Sequence, residues 1–181
     1  DKDEPFFLFL TYNAPYGELY ESEPEHRFSH LYSELPMDSV PREGVSPELI
    51  DWVLIRKEKM PAYDFDWYKE LPEMPIKLFY MSQFYSQVSM VDDGVGQVIA
   101  KLEEKGVLDD TLVIYTADHG LSNGQHGFWG HGEDTWPSNM HSSANNIPLI
   151  ISQPDFSETG RQVEHLVGTT DIFATILDIA C

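Results

Sequence analysis

A long helical pattern that ends at a glycine and runs into an apolar strand constrains the fold of this chain most. Across residues 76–105, apolar side chains recur at intervals of three and four positions, which is the spacing of an amphipathic helix. Gly106 follows as a helix-terminating glycine, and the apolar run LVIY of residues 112–115 begins soon afterwards. A helix that leads into a buried strand is the repeating unit of α/β folds.

Two other apolar runs and a final helical pattern extend this alternation. Residues 6–12 are almost continuously aromatic or aliphatic, which is the pattern of a strand buried on both faces. The run IPLII of residues 147–151 predicts another strand, and residues 169–180 predict a helix that begins at Thr169 or Thr170. The predicted fold class is therefore an α/β sandwich with a mostly parallel sheet flanked by helices.

Residues 15–75 are predicted to be a long insertion or pocket-forming loop region. They contain eight of the twelve prolines of the chain, and loops of such length are usually functional or disordered. Within this region, Ser46 is a favourable cap, Pro47 suits the first helical position, and Glu48 adds a first-turn acid. These signals predict a helix over residues 47–59.

The centre of the long helical pattern carries two glycines and two acids. Gly94 and Gly96 each disfavour a helix by about 1 kcal/mol relative to alanine, so they indicate a close approach to the sheet or a bend. The adjacent carboxylates Asp92 and Asp93 lie among core positions of the same pattern. We interpret them as structural or solvated groups rather than as an acid and base pair.

Length and composition limit the classes of function. The 181 residues, 41% of them hydrophobic, are enough for one domain with a core of its own. The formal net charge of -20 repels nucleic-acid phosphates and anionic membranes, and no apolar run approaches the roughly 18 residues of a membrane span. A single cysteine, Cys181, excludes an internal disulfide and a CxxC motif.

The loop after the LVIY strand concentrates residues that bind metals. Its sequence, TADHGLSNGQHGFWGHGEDT over residues 116–135, places Asp118 and His119 where open α/β folds bind their ligands, at the carboxyl edge of the sheet. A carboxylate beside an imidazole can hold one cation, and Gly120 lets the chain turn away sharply. An aspartate cap beside a solvated histidine is the structural alternative. Donor chemistry alone favours zinc or another transition metal over calcium.

The motifs FFLFLTYNAPY, TLVIYTADHG, GQHGFWGHG and IPLII occur in one order along the chain. In order and spacing they resemble the sulfatase family of the alkaline phosphatase superfamily, and the resemblance covers nearly the whole chain. It implies an alkaline-phosphatase-like α/β sandwich, present here in part. It also implies that sulfate esters are the substrates.

The resemblance also implies roles for individual residues. Asp118 and His119 match a pair of metal ligands that usually holds calcium. His131 stands where most sulfatases have a lysine that contacts the sulfate group, and when protonated it can donate a hydrogen bond as the general acid. His126 is expected to brace the loop. The residues predicted to contact the substrate are Tyr16, which stands where many sulfatases have a histidine, Trp129 and His141.

The nucleophile of the family is not found in this chain. Sulfatases use a formylglycine made from the first residue of a Cys/Ser-x-Pro-x-Arg motif, and no such motif occurs here. An upstream pair of metal-binding aspartates is also absent. We therefore expect residues 1–181 to be a partial catalytic domain that lacks the nucleophile-bearing N-terminal part and a C-terminal subdomain, and that is inactive by itself. Proteins of this type are commonly exported.

Three functions follow as hypotheses. The first is hydrolysis of a sulfate ester on a carbohydrate or aryl compound, with calcium and an upstream formylglycine. The second is a phosphoesterase of the same superfamily with two metals, in which the Asp-His pair binds zinc. The third is a non-catalytic homologue that keeps the fold and has lost the chemistry.

Overall fold

The computed structural model describes residues 4–15, 27–34, 38, 46–61, 74–132, 138–153 and 160–180. Most of the predicted insertion over residues 15–75 therefore lies outside the described residues, and so does Cys181. The helices are α1 (Pro47–Lys59), α2 (Met74–Lys105), α3 (Ser142–Asn145) and α4 (Thr169–Ala180). The strands are β1 (Val113–Thr116), β2 (Ser122–Asn123), β3 (Trp129–Gly130) and β4 (Leu149–Ser152).

Helices α1 and α4 begin where their start signals predict. Helix α1 begins at Pro47, and α4 begins at Thr169, as expected from their sequences. At the start of α4, the Gly168 N–H donates to the Asp171 carboxylate at 2.7 Å, which satisfies a backbone donor that has no partner within the helix. No described helix is both long enough and apolar enough to cross a bilayer.

Helix α2 ends at the predicted glycine, Gly106, in a complete C-terminal capping motif. Gly106 has a φ of 64°, a left-handed conformation that favours glycine. Its N–H donates to the Glu103 carbonyl at 2.8 Å, and the Val107 N–H donates to the Leu102 carbonyl at 3.1 Å. This pair of bonds is the Schellman motif. It turns the chain out of α2 toward β1.

Strands β1 and β4 form an antiparallel pair, in which Val113 lies opposite Ser152 and Thr116 lies opposite Leu149. Strands β2 and β3 form a second antiparallel pair. The mostly parallel sheet of the sequence prediction is therefore not seen among the described residues. The connection from β1 to β4 is longer than the dozen residues that a parallel crossover needs, but the α-helix described within it, α3, has only four residues.

The prediction of a buried strand over residues 6–12 is not confirmed, because this segment is neither paired as a strand nor buried. Phe7 is 74% exposed and Phe9 is 80% exposed. Strands β1 and β4 exist as predicted, yet their side chains are half-buried or exposed rather than buried. A strand is buried on both faces only when other elements cover it, and within the described residues these strands have one neighbour each.

The buried residues of the described part lie mainly along α2. Met81, Ser86 and Gln87 are among the buried side chains of that helix, and the Ser86 hydroxyl donates to the Ser82 carbonyl at 2.8 Å. Residues 27–34 pack against it: the Tyr32 hydroxyl lies 2.9 Å from Ser89 Oγ. Burial of polar groups at this helix is thus accompanied by hydrogen bonds, as it must be to avoid a desolvation cost.

The two acids of α2 lie in solvent-accessible positions, in agreement with their structural interpretation. Asp92 is exposed, while Asp93 accepts a hydrogen bond from Gln97 at 2.6 Å and forms an ion pair with Arg27. Exposed pairs of this kind contribute little to stability, on the order of 0–1 kcal/mol. Their consequence is mainly to orient residues 27–34 along α2.

Gly94 allows an aromatic ring to lie directly on α2. A Cβ at this position would lie 2.9 Å from the Tyr12 ring, whereas a Cβ at Gly96 would meet nothing within 4 Å. A close approach is thus found at Gly94, but its partner is the side chain of Tyr12 rather than the predicted sheet. Gly96 has no such reason to be glycine in the described structure.

Replacing these two glycines by alanine is expected to change stability differently. Gly96→Ala should stabilise the chain by about 1 kcal/mol, because alanine is the better helix former. Gly94→Ala gains the same propensity but displaces the Tyr12 ring, and overpacking of this kind costs roughly 1–3 kcal/mol. Thermal unfolding followed by circular dichroism measures the difference. Equal melting temperatures for the two variants would show that Tyr12 does not pack on the helix.

Candidate functional site

The candidate site begins at the carboxyl end of β1. The Thr116 hydroxyl donates to the Pro148 carbonyl at 2.9 Å, so the end of β1 is held beside the start of β4. Asp118 and His119 follow immediately. The Asp118 Oδ1 accepts the His119 N–H at 2.9 Å, and its Oδ2 lies 3.8 Å from His119 Nε2. One carboxylate oxygen therefore fixes the turn, while the other faces the imidazole.

The orientation of the His119 ring suits a metal ligand. Its Nδ1 lies 2.8 Å from the Gly120 carbonyl oxygen, which can only accept a hydrogen bond, so Nδ1 carries the proton. The lone pair of a neutral imidazole is then on Nε2, on the side of Asp118. A backbone carbonyl that holds the second ring nitrogen is the usual support of a metal-binding histidine. The side chains of His119 and Asp118 are 44% and 89% exposed, so a cation can reach both.

Asp118 and His119 would provide only two of the ligands that a metal site needs. No cluster of three or more histidine, cysteine, aspartate or glutamate side chains that could hold an ion occurs in the part of the chain that the structure describes. Structural metal sites usually have four or more ligands. The pair therefore needs further ligands, from solvent, from substrate or from other residues.

His131 lies next to His119, although twelve positions separate them in the sequence. Their ring centroids are 4.9 Å apart, at an interplanar angle of 48°. The hairpin of β2 and β3 returns the chain, because Ser122 pairs with Gly130 and the Gly124 N–H donates to the Phe128 carbonyl at 2.9 Å. The structure thus brings together the predicted metal pair and the predicted general acid.

A second pair of histidines lies on the same loop system. His126 and His141 stack with ring centroids 4.5 Å apart and planes at 19°, and Phe128 lies 5.0 Å from the same His141 ring. His126 has a φ of 55°, in the left-handed region that is uncommon for residues other than glycine. This contact agrees with the expectation that His126 braces the loop.

Residues 139–146, here called the α3 segment, form hydrogen bonds with the loop over residues 118–132 at three places, in addition to the ring contacts of His141. The Gly120 N–H donates to the Ala144 carbonyl at 3.0 Å, and the hydroxyl oxygens of Ser122 and Ser143 lie 2.8 Å apart. The Asn139 N–H donates to the carbonyl of Gly132 at 2.9 Å. Sequence reasoning did not find these contacts; the run of small and polar residues in NMHSSANN is the signal that could have indicated them.

The predicted substrate contacts have different outcomes. Tyr16 lies outside the described residues, and Trp129 contributes backbone to β3. His141 is half-buried against His126 and Phe128 rather than extended into solvent. A role in substrate binding stays a prediction for all three.

Comparisons with known proteins identify a family that this chain matches. The model of the family described as Sulfatase matches residues 1–180. Arylsulfatase K of Xenopus laevis is 26% identical over 98% of this chain and 32% of its own length. N-sulphoglucosamine sulphohydrolase of Homo sapiens is 29% identical over 97% of this chain and 31% of its own length. N-acetylglucosamine-6-O-sulfatase of Bacteroides thetaiotaomicron is 31% identical over 56% of this chain and 17% of its own length.

No solved structure gives a significant match to the chain. The chain spans about a third of the length of the relatives that it matches along nearly its whole length. The family match nevertheless extends over all but the last residue, and it includes the ADHG and GQHGFWGHG segments that build the site. On this evidence the chain belongs to the sulfatase family.

Proposed function

We propose that this chain forms part of the active site of an enzyme that hydrolyses a sulfate ester, on a carbohydrate or an aryl compound. The observation that carries the proposal is the sulfatase match over residues 1–180. The gathering of Asp118, His119 and His131 at one end of β1 supports it, since these are the residues expected to hold a metal and donate a proton.

The proposed metal is calcium, which Asp118 and His119 would hold. A bound divalent cation would supply positive charge that neutralises the sulfate oxygens. Such charge matters more here than in a neutral protein, because the chain has a net charge of -20 that repels an anionic substrate. Of the two proposed ligands, Asp118 attracts the cation more strongly, because its exposed carboxylate is negatively charged.

His131 is the proposed proton donor. Its ring lies beside His119, within reach of a group bound at the Asp118–His119 pair. When protonated it can donate to the leaving oxygen of the ester, which otherwise departs as an unfavourable alkoxide. The nucleophile is proposed to be a formylglycine in residues outside this chain, because the 181 residues contain no Cys/Ser-x-Pro-x-Arg motif.

A sulfated sugar is the proposed substrate class. Two of the relatives are named for the glucosamine derivatives on which they act, N-sulphoglucosamine and N-acetylglucosamine 6-O-sulfate. Arylsulfatase K, by contrast, is named for aryl sulfates. An aryl sulfate is therefore the convenient test compound, and a glucosamine sulfate is the expected natural type of substrate.

A phosphoesterase that uses zinc is the second candidate. The imidazole of His119 suits zinc better than calcium, and His131 stands in place of the lysine expected in a sulfatase. The metal that supports activity, calcium or zinc, therefore distinguishes the two candidates. The ester that is hydrolysed, a sulfate or a phosphate, distinguishes them as well. A homologue without catalysis would hydrolyse neither ester.

The test is a comparison of para-nitrophenyl sulfate with para-nitrophenyl phosphate on the full-length protein. We expect hydrolysis of the sulfate at least about tenfold faster, loss of activity on chelation, and recovery with calcium rather than zinc. Preference for phosphate together with recovery by zinc would establish the phosphoesterase instead. Turnover of neither ester, nor of a glucosamine sulfate, by metal-loaded protein would favour the non-catalytic homologue.

A further inference from the structure

The α3 segment touches the site loop next to both groups that are proposed to act. The Gly120 N–H, immediately after His119, donates to the Ala144 carbonyl at 3.0 Å. The Gly132 carbonyl, immediately after His131, accepts the Asn139 N–H at 2.9 Å. One short segment therefore holds the two ends of the loop that carries the facing histidine rings.

These contacts leave no room for a side chain at Gly120 and little room for one at Gly132. A Cβ on Gly120 would lie within 3.0 Å of the Ala144 carbonyl group, and a Cβ on Gly132 would lie 3.0 Å from the Asn139 carbonyl oxygen. Backbone packs on backbone at both places, so a shift of the α3 segment must move the loop as well. The positions of His119 and His131 thus depend on where this segment lies.

His141 connects the α3 segment to the middle of the loop. Its ring stacks on His126 at 4.5 Å and lies 5.0 Å from Phe128, while its backbone carbonyl accepts the Ala144 N–H at 3.0 Å and the Asn145 side chain at 3.0 Å. Aromatic pairs of this kind contribute about 0.5–1.5 kcal/mol beyond their buried area. The residue therefore joins the start of α3 to the β2–β3 hairpin.

We propose that His141 is a positioning residue that, through its stack on His126, locks the α3 segment against the loop and so keeps His131 beside His119. This inference rests on the proposed function for its catalytic consequence. It differs from the substrate contact predicted for His141 from sequence, because a positioning role needs an aromatic ring, whereas contact with a sulfated sugar needs the polar imidazole.

Two substitutions separate these roles. His141→Ala removes the ring, and His141→Phe keeps an aromatic ring that can stack on His126 but cannot bond to a substrate. His165→Ala is the matched control, since His165 is exposed and lies outside the loop and the α3 segment. Hydrogen exchange of the Gly120 amide is a measurement that does not depend on activity. Its rate reports how often the hydrogen bond from Gly120 to Ala144 opens.

In the full-length protein, His141→Ala is expected to speed exchange of the Gly120 amide by about tenfold, as local opening becomes easier. We expect kcat for an alkyl sulfate, whose departure needs the proton from His131, to fall roughly 10- to 100-fold with KM nearly unchanged, since misplacement of a reacting group by about 1 Å costs as much. His141→Phe should restore both quantities to within about threefold of the parent protein. Loss of the nuclear Overhauser contact between the His119 and His131 rings should accompany the alanine change alone.

Two results would overturn this inference. Unchanged Gly120 exchange in His141→Ala would show that the ring does not hold the segment. A raised KM in both His141 variants, with unchanged exchange, would assign the imidazole to substrate contact. If exchange and the ring contact respond as expected while the parent protein hydrolyses no sulfate ester, the positioning role holds and the proposed function is wrong.

Discussion

Replacing His131 with alanine is expected to lower kcat for a sulfate ester by about 100- to 1,000-fold, which is within the range that a positioned general acid contributes. The reason is geometric: the His131 ring lies 4.9 Å from the His119 ring, at the proposed metal pair. KM should change by less than about fivefold, because the interaction is made mainly in the transition state. Steady-state kinetics on the full-length protein measures both constants.

The choice of ester provides the control for His131. An aryl sulfate with a good leaving group needs little protonation, so the alanine variant should lose less activity on it than on an alkyl sulfate. His131→Lys restores the residue expected from the sulfatase resemblance and should recover part of the lost rate. An equal loss on both esters, with no recovery by lysine, would mean that His131 supports the loop instead.

Replacing Gly120 with alanine is expected to destabilise the fold by about 3 kcal/mol, the upper end of the cost of overpacking. The new Cβ would clash with the Ser143 carbonyl oxygen and lie 2.9 Å from the Ala144 carbonyl carbon. Both are backbone atoms, so neither can swing away as the end of a side chain would. The hydrogen bond from Gly120 to Ala144 should be broken or lengthened.

Thermal unfolding checks this prediction, with a fall in melting temperature of roughly 6–12 °C for a chain of this size. Gly96→Ala introduces the same methyl group where nothing lies within 4 Å, and it should raise the melting temperature instead. A Gly120→Ala variant as stable as the parent protein would contradict the close contact between loop and α3 segment.

Local signals were enough to predict the three longer helices, α1, α2 and α4, but not the four-residue α3. Pro47 opens α1, and the glycine signal at Gly106 closes α2, because caps and periodicity lie within one short stretch of chain. The strands β1 and β4 were predictable as strands for the same reason. Their antiparallel pairing was not, since a run such as LVIY has the same composition whichever direction its neighbour takes.

The features of the candidate site likewise fall into those that the sequence predicts and those that it does not. Asp118 and His119 could be identified as candidate ligands because they adjoin each other after a strand, and the resemblance to sulfatases added His131. The stack of His126 on His141 joins residues that are 15 positions apart, with no pattern to connect them. Nor could the exposure of residues 6–12 be predicted, because burial depends on the elements that cover a strand rather than on its own side chains.

The left-handed backbone of His126 has a consequence for protein engineering. A residue other than glycine gives up about 1–2 kcal/mol in this conformation, so glycine at this position is an obvious change for anyone seeking a more heat-resistant chain. Glycine would, however, remove the imidazole that stacks on His141. The relief of backbone strain would therefore be largely offset by the loss of the stack, which contributes about 0.5–1.5 kcal/mol beyond its buried area, so heat resistance alone does not favour glycine at this position.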